Sequence, residues 1–230
     1  VDPDSKRTWT VSNIFNGIDR SNFGENSTVL YLPSNITVIG APVWDGTTVT
    51  APSGTGTEAD PYLISTGGHL KWLADPVGGR NNHFKMTNNI DLGGYGLTIG
   101  AAANSTWSSD RFEGVFDGNG YSILNLKIDD TTSRGEVALF PLLYDGTIKN
   151  LTVYGTVNGS AENVGGIVGW TNAGINIKYC TNEASVNGAS NIGGIVAYIS
   201  GTSSGTHGVS NCKNSGAVTG TSSNVGGILG

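Results

Sequence analysis

The segment Asn163-Val-Gly-Gly-Ile-Val-Gly169 recurs as Asn191-Ile-Gly-Gly-Ile-Val-Ala197 and again as Asn224-Val-Gly-Gly-Ile-Leu-Gly230, at intervals of 28 and 33 residues. A second element keeps phase with it: Asn150-Leu-Thr-Val-Tyr-Gly-Thr-Val157, Tyr179-Cys-Thr-Asn-Glu-Ala-Ser-Val186 and Asn211-Cys-Lys-Asn-Ser-Gly-Ala-Val218. In each, an apolar residue (Leu151, Cys180, Cys212) precedes a valine by six positions, and Gly159, Gly188 or Gly220 follows that valine by two. A weaker upstream copy is Asn125-Leu-Lys-Ile128 followed by Val137-Ala-Leu-Phe140. Internal repetition at this period marks units too small to bury a core alone, which become stable by stacking.

Within a unit, apolar residues alternate over short runs broken by Gly and Asn, which reads as short strands with tight corners. The chain is all-β by composition too: 36 of 230 residues are glycine, a density that penalises helix interiors. Short strands repeated without helices predict a parallel β-solenoid, with an antiparallel sandwich as the competing arrangement. Stacked coils place equivalent side chains ~4.8 Å apart. Leu126, Leu151, Cys180 and Cys212 are therefore expected in one inward ladder, and Val157, Val186 and Val218 in another. The pairs Gly165-Gly166, Gly193-Gly194 and Gly226-Gly227 suit corners that need positive φ or close backbone packing. Asn182 and Asn214 are expected to turn the chain through the left-handed region while bonding locally. The longest insertion, between Ile195 and Cys212, marks one corner that tolerates length change and is suited to specificity.

Phe116-Asp-Gly-Asn-Gly-Tyr-Ser-Ile-Leu-Asn-Leu126, Gly146-Thr-Ile-Lys-Asn-Leu-Thr-Val153 and the threefold Val/Ile-Gly-Gly-Ile resemble GLUG-motif repeats, which occur in large adhesin-like surface proteins, some associated with the IgA-peptidase family. Upstream, Gly56-Thr-Glu-Ala-Asp-Pro-Tyr-Leu-Ile-Ser-Thr-Gly-Gly-His-Leu-Lys-Trp-Leu-Ala74 and Phe84-Lys-Met-Thr-Asn-Asn-Ile-Asp-Leu92 resemble the leader that precedes such repeats. The resemblance covers about residues 55–230. It implies a right-handed parallel β-helix on a secreted or surface-displayed bacterial protein, and no catalytic site.

Three regions are expected. Residues 1–54 carry the strand-like runs Val29-Leu-Tyr-Leu32 and Ile36-Thr-Val-Ile39, and form either a β cap or a strand-exchange arm; Ala51-Pro-Ser-Gly-Thr-Gly-Thr57 reads as a linker. Residues 55–134 hold the leader and first coils, with a short helix N-capped by Ser65, bearing His69, Leu70, Trp72, Leu73 and Ala74 on one face and stopped at Pro76; it is expected to cap the stack. Residues 135–230 form the repeats. Charge divides the same way, with 23 of 30 charged residues before position 135. The chain begins at Val1, consistent with signal-peptide removal or trimming, and the repeat breaks off at Gly230, consistent with a fragment or with head-to-tail stacking.

Net charge −6 with dispersed Lys and Arg argues against nucleic acid. No apolar run approaches ~18 residues, so no membrane insertion is expected. His69, His83 and His207 lack metal-ligand spacing, and no zincin helix, nucleophile elbow or P-loop is present, so neither metal nor cofactor is expected. Asp91, Glu113 and Asp117 are the acids closest to a coil's spacing, the pattern of a polysaccharide lyase or hydrolase; Asp117-Gly-Asn-Gly120 reads equally as a turn, and Asp117 with Asn119 as a single calcium position. Cys180 and Cys212, stacked in adjacent coils, are expected as buried thiols, a bridge being the alternative. Five Asn-x-Ser/Thr sequons are no more than this composition produces. Trp107, Trp170, Tyr198 and His207 are the ligand-binding candidates, because amphipathic rings hold glycans and proteins. The resulting expectation is a non-enzymatic, extracellular or cell-surface structural or adhesive solenoid, whose partner is a host or neighbouring-cell glycan or protein, or copies of itself as a fibre.

Overall fold

A computed structural model describes residues 9–10, 38–39, 42–75, 79–100, 111–130, 135–160, 162–172, 174–200 and 208–230. Residues 1–42 form one compact unit, in which Trp9–Thr10 pairs in parallel with Val38–Ile39. The run Val29–Leu32, and with it the choice between cap and arm, lies outside the described residues.

Residues 43–230 form a second unit, a parallel β-solenoid. Its first sheet stacks Tyr62–Ile64, His83–Met86, Val115–Asp117, Thr147–Lys149, Asn176–Lys178 and Gly208–Ser210, each parallel to the next. The chain then turns into a second sheet through Ile90–Asp91, Ser122–Asp130, Thr152–Gly159, Thr181–Asn182 with Ser185–Gly188, and Lys213–Asn214 with Val218–Gly220. Two three-stranded sheets close the later coils: Val164–Gly165, Ile192–Gly193 and Val225–Gly226 in one, Phe140–Tyr144, Val168–Asn172 and Val196–Ile199 in the other.

The registers are those of the repeat. Val157 faces Val186 and Val186 faces Val218, and Ile128 extends this ladder upstream. Gly165, Gly193 and Gly226 are stacked in line. None of the six paired glycines has a positive φ, and close packing explains all but Gly227, where a Cβ would meet nothing within 4 Å. A Cβ on Gly165, Gly193 or Gly226 would overlap the carbonyl oxygen of Val168, Val196 or Leu229, and one on Gly166 or Gly194 would overlap the carbonyl of the next coil's glycine. The left-handed corners are instead Asn150, Tyr179 and Asn211, and Asn163, Asn191 and Asn224, all with φ between 51° and 63°.

Two expected positions change. Leu126 faces Gly155 and not Leu151, because these two coils are offset by 29 to 30 residues and not by the 25 that would align Leu126 with Leu151. Asn182 and Asn214 do not turn the chain: they follow Val153 in the second sheet and point inward. Asn182 is fully buried with its amide saturated, donating to Ala184 O and Asn214 Oδ1 (both 2.8 Å) and accepting from Ala184 N–H. Cys180 and Cys212 stand one residue before the paired Thr181 and Lys213, and both are free thiols.

The helix, α1, spans Gly67–Ala74, and its N-cap is Thr66, whose hydroxyl accepts from His69 N–H; Ser65 lies one residue outside. Gly67 is small because Trp44 packs against it. Leu70 and Leu73 are buried in the core at the end of the stack where Tyr62–Ile64 is the outermost strand. Residues 43–54 belong with the solenoid: Trp44 N–H donates to Asp91 O, Thr50 N–H to Gly68 O, and Leu63 N–H to Ser53 O in the stretch read as linker. One core cluster runs from Trp44 to Val196 without a break at position 135.

Candidate functional site

The strands Phe140–Tyr144, Val168–Asn172 and Val196–Ile199 carry the described aromatic candidates. Each begins inward (Phe140, Val168, Val196, all in the core); Leu142, Trp170 and Tyr198 then form one register row, and Leu143, Thr171 and the partly buried Ile199 the next. A Cβ on Gly169 would meet Glu136 and the Pro141 carbonyl, so this strand packs closely against its neighbour. Tyr198 is 42% exposed and Trp170 half-buried. The 28-residue repeat therefore brings two of the candidates together on adjacent rungs. Trp107 and His207 lie outside the described residues.

Beside this row stands a second, Tyr144 facing Asn172. The Arg111 guanidinium lies 3.8 Å from the centre of the Tyr144 ring and pairs with Glu113. Arg111, Leu142, Leu143, Tyr144, Trp170 and Asn172 line a cavity of about 190 Å³, room for a ring or a small polar group. Aromatic faces, a planar cation and an amide in one concavity supply stacking and directional hydrogen bonding together. Sequence reading missed Arg111 and Tyr144 because they belong to no repeated motif.

The carboxylates are not gathered. Asp117 ends a first-sheet strand, where it pairs with Lys149 at 3.3 Å and accepts from Asn150 Nδ2 and Asn119 N–H. Burial opposes its charge, yet those hydrogen bonds outweigh burial and hold its carboxyl below the usual range. Asp91, in the second sheet, accepts from Gly93 N–H and Asn125 Nδ2, and Glu113 is engaged by Arg111. No group of three metal-ligating side chains occurs among the described residues. A larger open groove, about 720 Å³, follows Asp129, Asn158 and Asn187, but these side chains are spent on one another, Asn187 donating to Asn158 and Asn158 to Asp129 at 2.8 and 2.6 Å. Among the described residues, no helix is long and apolar enough to cross a membrane.

No family model matches this chain, and no solved structure matches it significantly. It is similar to halomucin of Haloquadratum walsbyi, 33% identical over 178 residues, which is 62% of this chain and 2% of halomucin. It is also similar to a Gly-rich membrane protein of Evansella cellulosilytica, 34% identical over 125 residues, 50% of this chain and 14% of that protein. The chain thus spans a small part of each relative's length.

Proposed function

We propose that this chain is a non-catalytic solenoid segment of a surface-associated, adhesin-like protein, and that it holds a glycan on the row formed by Trp170 and Tyr198. The register of Trp170 with Tyr198, beside a concavity edged by Arg111 and Asn172, carries the reading. Neighbouring rungs of a parallel sheet position two rings at a fixed spacing, which suits a sugar's apolar face, while the amide and guanidinium address its hydroxyls. The separate engagement of Asp91, Glu113 and Asp117 in structural hydrogen bonds and ion pairs supports binding over hydrolysis, which needs two convergent carboxyl groups. Similarity to a protein named as a membrane protein, and the resemblance to GLUG-motif repeats, support display at the cell surface.

The test is retention on a panel of immobilised polysaccharides, comparing the wild type with the double variant Trp170→Ala, Tyr198→Ala. Tenfold or greater weakening, roughly 1.4 kcal/mol or more, is expected with an unchanged far-ultraviolet spectrum. Equal retention of both proteins, or none by the wild type, rejects the reading.

A further inference from the structure

Nothing in a binding role uses the two cysteines. They are consecutive members of an inward row, one residue before the paired Thr181 and Lys213 and directly after the left-handed corners Tyr179 (φ 55°) and Asn211 (φ 52°). Matching backbone conformations on neighbouring strands point both side chains the same way. The Cα separation set by strand spacing, ~4.8 Å, lies inside the span that disulfides use, whereas parallel Cβ vectors leave the Cβ atoms slightly wider than the usual ~3.8 Å. Both thiols are free and directed at carbonyl oxygens: Cys180 at Lys178 O (3.4 Å) and Ile148 O (3.6 Å), Cys212 at Ser210 O (3.3 Å) and Ile177 O (3.6 Å). Cys180 is buried and Cys212 partly exposed.

We propose that Cys180 and Cys212 are a dithiol that low-molecular-weight disulfides oxidise to a reversible staple between adjacent coils. The asymmetry of the pair supplies the order of events. Beside Cys180, the partly exposed Cys212 thiol is held below the usual thiol range and is the readier thiolate of the two, whereas its neighbour and burial push Cys180 up. The Cys212 thiolate attacks one sulfur of the small disulfide, forming a mixed disulfide and expelling one thiolate, which takes a proton. Cys180 then attacks the Cys212 sulfur, forming the Cys180–Cys212 bond and expelling the second thiolate, which takes up the Cys180 proton. Two protein thiols are oxidised and one disulfide is reduced to two thiols. Slightly wide Cβ atoms make such a bridge easily reduced.

The experiment exposes the folded 230-residue chain to oxidised glutathione at neutral pH, then measures intact mass and alkylatable thiols. Loss of both thiols with a mass lower by two hydrogens is expected, together with an upward shift of the melting temperature that dithiothreitol reverses. Cys180→Ala is expected to stop at one glutathione adduct on Cys212, and Cys212→Ser to show several-fold slower loss of its remaining thiol. A stable glutathione adduct on the wild type, or two thiols that stay alkylatable, overturns the proposal.

Discussion

The two ends of the solenoid solve one packing problem differently. The inward row of the first sheet reads Tyr62, Phe84, Phe116, Ile148, Ile177, Val209, in register from strand to strand. In the early coils aromatic rings fill the interior: Tyr62 with Phe84 at 5.6 Å, Phe84 with Phe112 at 6.0 Å, and Phe140 with Phe112 and Phe116 at 5.2 and 5.4 Å between ring centres. In the later coils the row narrows to Ile and Val, and glycine pairs let the walls approach until backbone meets backbone. Stacked amides join the coils, the buried Asn182 on Asn214 inside and Asn163, Asn191 and Asn224 along a more exposed corner, linked at 2.8–2.9 Å. A thin coil of small residues is specified by close approach and amide ladders, a thick one by ring volume. Only the first leaves a repeat that can be read, because glycine and asparagine have few substitutes at such positions while apolar volume has many.

This contrast can be broken by mutation. Gly193→Val sets a Cβ onto the Val196 carbonyl, and a loss of about 4 kcal/mol or more, or failure to fold, is expected in urea titrations. A loss under about 1 kcal/mol would mean that the walls separate freely. Phe116→Ala removes a fully buried ring from the thick coils; about 3–5 kcal/mol is expected, against the ~1 kcal/mol of Ile177→Val in the thin ones. Asn182→Ala strands the Ala184 N–H and carbonyl and the Asn214 amide, at a cost of about 1–3 kcal/mol; a neutral result would show the ladder to be incidental.

The smallest effect concerns Asp117, in the charged half of the chain. Its folded pKa lies below the ordinary 3.8, so its contribution to stability is present above that pH and is lost as the pH falls through the folded value. Asp117→Asn is expected to flatten the decline in urea midpoint below about pH 4. Parallel curves for the two proteins would assign the acid sensitivity to other groups.

The phase of Val157, Val186 and Val218 and the glycine stack were legible because strictly parallel strands convert a sequence interval into a neighbour relation. The same rule misplaced Leu126, since matching Asn125-Leu126 to Asn150-Leu151 assumes an interval of 25 residues where the paired strands are offset by 29 to 30. Asn182 carried a conflicting signal: an asparagine among polar neighbours resembles a turn, while its alignment with Val153 marks an inward slot. The adjacent hydroxyls of Ser65 and Thr66 left the helix start open by one residue. Arg111 reaches Tyr144 from a stretch that repeats nowhere, so no periodicity could announce it.

Parallel stacking of the repeats underlies every residue assignment above, and methyl-to-methyl nuclear Overhauser contacts in a valine- and isoleucine-labelled sample report it directly. Strong contacts are expected between Val157 and Val186, between Val186 and Val218, and between Ile148 and Ile177, with none between Val157 and Val218. Pairing of these valines in any other order, as an antiparallel sandwich would give, contradicts the stacked coils and the binding row built on them.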